Sequence, residues 1–156
     1  MAQIDFSGLP HVESMRGEDD SETIEFQGLH RKAKAFLGTF SWCGGINTAR
    51  FGLGVSNIVA VFLFEIHPLR RDVDDILWVV VGDIPPAYLV TDDAPDPARA
   101  LQVYIREMRK WVEAVRSGRT VKSPVDAPPT SGNAEALAMR LDFIEREILD
   151  RYRGES

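Results

Sequence analysis

One cysteine in 156 residues, Cys43, excludes an internal disulfide and agrees with a reducing, cytoplasmic setting. The three histidines, His11, His30 and His67, are scattered and belong to no HExxH or Cys/His pattern, so the sequence indicates no metal site and no cofactor. The longest apolar run is Ile58 to Phe64, far short of the about 20 residues that a membrane-spanning helix takes. Met1 to Asp20 lacks a basic start followed by an apolar core, so no secretory signal is read there. The expectation is a soluble, cytoplasmic protein without membrane contact.

Excess positive charge is also missing. The formal charge is −6, and Met1 to Glu25 carries seven acids against one base, leaving seventeen of each in the remainder. A nucleic-acid surface needs a stripe of lysine and arginine to neutralise phosphates, so no nucleic-acid partner is expected. The short clusters Arg31-Lys32-x-Lys34 and Arg70-Arg71 read as solvated faces.

What the chain does contain is patterned apolar sequence of a length suited to one domain. Residues 1–20 are acidic and aperiodic, and read as a mobile arm with Ile4 and Phe6 as apolar anchors; residues 21–156 read as a single α+β domain. Phe26, Leu29, Ala33, Phe36, Leu37 and Phe40 recur at three and four, predicting a helix over 22–41 that stops at Gly44-Gly45. From Ile46 the period becomes two: a half-buried strand over 46–55, a turn at Ser56-Asn57, then strands over 58–66 and 76–82 that are apolar on both faces. A fourth strand, 87–91, follows Pro85-Pro86, and the short links favour an antiparallel meander. Asp96-Pro97 starts a helix over 96–117 with Leu101, Tyr104, Ile105, Met108, Trp111, Val112 and Val115 as its stripe. A proline-bearing loop with Val121 and Val125 as anchors leads to a last helix over 133–152, striped by Leu137, Leu141, Ile144, Ile148 and Tyr152, with Asp142 to Arg146 and Glu147 to Arg151 as ion pairs.

The ionisable groups form no complete catalytic set, and none is assigned a catalytic role. Cys43 is expected at a helix C-terminus, where partial negative charge raises a thiol pKa, and reads as a packed side chain. Glu65 and His67 share one strand face and should approach Asp74 and Asp75. Asp83, ahead of two prolines, is expected to brace its turn by accepting from Ile84 or Ala87, and with Tyr88 and Asp92 it could rim a polar pocket at the sheet end. Gly52-Leu-Gly54 lacks the helix that a phosphate loop requires. The two glycines are expected on one strand face with Arg50, open to close approach by a helix, a subunit or a ligand.

Two function classes follow. The first is a non-catalytic binding or protein-interaction module, with a protein partner or a homodimer covering whatever the three helices leave of the doubly apolar sheet. The second is a small-molecule-binding protein or enzyme with a polar pocket at the sheet end, built from Glu65, His67, Asp83, Tyr88 and Asp92.

Overall fold

A computed structural model describes residues 8–55, 58–119, 128 and 130–149. It is an α+β fold: helix α1 (Asp20–Gly38), strands β1 (Cys43–Val55), β2 (Val59–Pro68), β3 (Ile76–Gly82) and β4 (Ala87–Val90), a single 3-10 turn (Thr91–Asp93), and helices α2 (Pro97–Arg116) and α3 (Ser131–Ile144), the last running into a π turn (Glu145–Leu149). The sheet is an antiparallel meander in the order β1-β2-β3-β4. The expected turn at Ser56-Asn57, the anchors Ile4, Phe6, Val121 and Val125, and the end of the last helix at Arg151 and Tyr152 lie outside the described residues.

Alternation of side chains divides β2 and β3 between two cores. Ala60, Phe62, Phe64 and Ile66 of β2, with Leu77, Val79 and Val81 of β3, pack beneath Phe26, Ala33 and Leu37 of α1. Val59, Val61 and Leu63, with Trp78 and Val80, pack beneath the stripes of α2 and α3. Full burial of one such aliphatic or phenyl side chain contributes about 1.5–3 kcal/mol. The chain's own helices therefore cover both faces, which removes the reason for expecting a second copy over a bare one.

Both sheet edges are managed as well. Residues 10–12 lie along β1: Phe51 N–H donates to Pro10 O at 2.8 Å, Val12 N–H donates to Ala49 O at 3.1 Å, and Val12 and Met15 are buried. In its described part, the segment read as a mobile arm is thus a strap over the β1 edge. At the other edge β4 has only four residues, with Pro85-Pro86 before it and the exposed Asp92 after it, devices that blunt edge-to-edge pairing.

Three expectations at element ends are corrected. The first helix stops at Gly38, where Thr39 N–H turns back to the Phe36 carbonyl, so Gly44-Gly45 is no stop but lies in β1, and Cys43 opens that strand instead of closing a helix. At its start, Asp19 accepts from Glu22 N–H at 2.8 Å while the Glu22 carboxylate accepts from Glu18 N–H at 3.2 Å, which moves the boundary forward to Asp20. Asp142 does not pair with Arg146: its carboxylate and that of Glu145 both accept from Arg109 of α2, at 2.9 and 3.0 Å, while Arg146 turns to Glu147. Asp96 caps α2 as expected, accepting from Arg99 N–H at 2.8 Å with Pro97 at the first helical position.

Candidate binding site

The three helices converge on one turn. Beyond Gly82 the chain must reverse through Asp83-Ile-Pro-Pro86, and two consecutive prolines leave the turn without two of its N–H donors. Side chains from outside hold it. Lys32 of α1 donates to the Gly82 carbonyl at 3.0 Å, Tyr104 of α2 donates to the Pro85 carbonyl at 2.6 Å, and Arg140 of α3 donates from Nε to Asp83 Oδ2 at 3.1 Å. Asp83 N–H meets the Ile58 carbonyl of the neighbouring hairpin at 3.0 Å. The expected bond from the Asp83 carboxylate to its own turn is not found; its side chain is 70% exposed and faces α3. Tyr104, read from sequence as core, carries the bracing role, and burial pushes its phenol pKa far above the ordinary value.

Two concavities open on either side of the Asp83–Arg140 pair. One, about 350 Å³, is polar at its rim, with Lys32, Asp83, Asn133 and Arg140 around Pro85 and Trp111. The other, about 600 Å³, has an apolar lining from Ile58, Ile84, Met139, Phe143 and Ile144, edged by Arg140 and Arg146. Asp83, Ile84, Ala136 and Arg140 border both. Met139 is 73% and Phe143 39% exposed, large apolar groups held in water by a helix whose other face is buried. Among the described lining residues of the two concavities Asp83 is the one acid, against three bases, one of which, Arg146, pairs with Glu147 at 3.3 Å.

The remaining sequence candidates are placed elsewhere. Glu65 pairs with Ile76 and Val59 with Gly82, so Glu65 and His67 sit at the opposite end of the sheet from Asp83, about 20 Å away along β2 at roughly 3.3 Å per residue. Asp92 lies beyond β4 at that far end, and Tyr88, opposite Val79, sets its ring edge-on to Phe40 and Trp42, each at 5.1 Å, on the α1 side. The five polar groups therefore do not rim one pocket. No group of three His, Cys, Asp or Glu side chains among the described residues is placed to hold a metal.

The glycine face is closed by the chain itself. A register shift between Phe51 and Leu53 inserts Gly52 as an extra residue, so the alternation breaks and Gly52 and Gly54 do not share a face. A Cβ on Gly52 would meet Pro97 of α2 at 3.0 Å, and one on Gly54 would meet Phe26 of α1 at 2.9 Å. Arg50 spends its guanidinium on the strap, donating from Nη1 to the Leu9 carbonyl at 2.7 Å. Close approach by a helix is what the glycines permit, and the helices are this chain's own.

Sequence reading passed over Lys32, Met139, Arg140 and Phe143. A signal was present for two of them: Met139 and Phe143 are four apart and lie off the Leu137-Leu141-Ile144 stripe, which a helix with one buried face does not require. No helix among the described residues is long and apolar enough to cross a membrane. No family model matches the chain, and neither curated proteins nor solved structures give a match.

Proposed function

We propose that the protein is a non-catalytic, cytoplasmic binding module whose recognition surface is the groove between α3 and the Asp83–Pro86 turn. The observation that carries this reading is the exposure of Met139 and Phe143 over a floor of Ile58, Ile84 and Ile144, in a concavity of about 600 Å³. Small-ligand sites typically measure about 300–1,000 Å³ and combine an apolar lining with a few placed polar groups. The Asp83 carboxylate in the groove is engaged by a guanidinium, an arrangement suited to recognition rather than proton transfer.

A homodimer, the other partner considered from the sequence, could use this same α3 surface, where Met139 and Phe143 are exposed. Self-association and ligand binding would then compete. The test is fluorescence titration with anilinonaphthalene sulfonate, which brightens in apolar clefts. Binding should be saturable in the native chain and weakened at least about tenfold in Met139→Ser and in Phe143→Ser, by the loss of one buried apolar side chain each. Undiminished binding in both variants would remove the groove from the reading.

A further inference from the structure

Resting on that reading, we infer that the groove takes an amphiphile with a single apolar chain and a compact anionic head such as a carboxylate, and that Arg140 anchors the head by exchanging Asp83 for it. Charge complementarity selects the anion. Among the described residues Lys32, Arg140 and Arg146 border the two concavities, opposed by Asp83 in the lining and by Glu147, which pairs with Arg146 at 3.3 Å, and this leaves an excess of one positive charge on a chain whose overall charge is −6.

The geometry of Arg140 makes the exchange feasible. Its Nη1 is held by the Ala136 carbonyl of its own helix at 3.2 Å, which fixes the guanidinium along the groove, while Nε makes one 3.1 Å bond to Asp83 Oδ2. The pair is single-stranded rather than a two-bond fork, and both side chains are open to water, 45% for Arg140 and 70% for Asp83. Such a contact is weak and readily replaced. A ligand carboxylate approaching from the apolar side could offer both oxygens to the guanidinium, the stronger arrangement. Because Asp83 and Arg140 border both concavities, their separation would also join the polar space beside Lys32 to the apolar one beside Met139. In the ligand-free chain, Asp83 acts as an internal competitor for the anion.

The experiment compares decanoate with decanol, the same chain with and without the charge, by displacement of anilinonaphthalene sulfonate from the full-length protein. Decanoate should bind the native chain more tightly than decanol. Asp83→Asn should tighten decanoate by about two- to fivefold, the factor corresponding to an exposed ion pair, and leave decanol unchanged. Arg140→Gln should abolish the preference for decanoate while retaining decanol. Equal affinity of the two ligands for the native chain, or weaker decanoate binding in Asp83→Asn, overturns the exchange and leaves the apolar groove standing. Decanol binding that survives both Met139→Ser and Phe143→Ser overturns the groove itself, and the exchange with it.

Discussion

The phenolic hydroxyl of Tyr104 donates to the carbonyl of Pro85 at 2.6 Å, and this bond ties the second helix to the turn that carries the candidate site. The ring is fully buried in the α2–α3 core, so its one polar atom has been brought to a carbonyl that two successive prolines leave outside any regular ladder. Tyr104→Phe should preserve the packing and lose the bond, at a cost of about 1–2 kcal/mol, or a fall in melting temperature of a few degrees. The folded phenol titrates above its unfolded value of 10.0, so stability is fully present below pH 10 and declines as pH rises beyond it. Thermal melts across that range should show the decline in the native chain and a shallower one in Tyr104→Phe; parallel curves would deny the phenol its part.

Gly82 stands where β3 enters the same turn, with φ of +149° and no room for a side chain. A Cβ there would collide with the Ile58 carbonyl, the acceptor of Asp83 N–H, and with the Val59 backbone 2.8 Å away. Gly82→Ala combines an unfavourable backbone conformation with a clash against backbone that cannot rotate aside, and should cost more than about 3 kcal/mol. Denaturant unfolding gives the value, and a loss below about 1 kcal/mol would mean that the β1–β2 hairpin relaxes freely.

The strands and helices were legible because their apolar periods are long and unmixed: Val59 to Phe64 and Leu77 to Val81 are apolar at every position, as only a sheet covered on both faces requires, and the α2 stripe runs unbroken from Leu101 to Val112. The bulge at Gly52 was not, since one inserted residue inverts every later face while leaving the sequence alternation intact to the eye. The site was less legible still. Asp83 meets Arg140 across 57 positions and Lys32 meets Gly82 across 50, pairings that arise only when three helices are packed on the sheet. Tyr104 fitted the helix stripe by its ring, and a stripe says nothing about where a hydroxyl tip ends.

His30 of α1 stacks on Phe64, with ring centroids 5.8 Å apart, and tilts against Phe62 at 5.7 Å. Burial lowers its pKa first, Lys34 and Arg31 lower it further, and only Glu13 opposes them. The unfolded chain then binds a proton at higher pH than the folded one, so stability is present above the ordinary value of 6.5 and is lost as pH falls through the folded value. Between about pH 7.5 and about pH 5.5, before most carboxylates titrate, the native chain should lose melting temperature that His30→Phe retains. Equal losses in both would place the titration elsewhere.

Arg50 determines whether the β1 edge stays covered. Its bond to the Leu9 carbonyl, the Phe51 to Pro10 and Val12 to Ala49 backbone bonds, and the burial of Val12 and Met15 together hold the strap. Replacing Arg50 by Met keeps much of the aliphatic stem but leaves the Leu9 carbonyl without its charged donor, which weakens the strap by about 1–2 kcal/mol without touching the core. The outer groups of β1 would then open to water and to other chains more often. Arg50→Met should therefore show faster amide exchange at Phe51, quicker tryptic cleavage at the exposed Arg16, and a greater tendency to aggregate on warming. Unchanged exchange and cleavage would mean that Val12 and Met15 suffice to hold the strap by burial alone, with the guanidinium adding nothing.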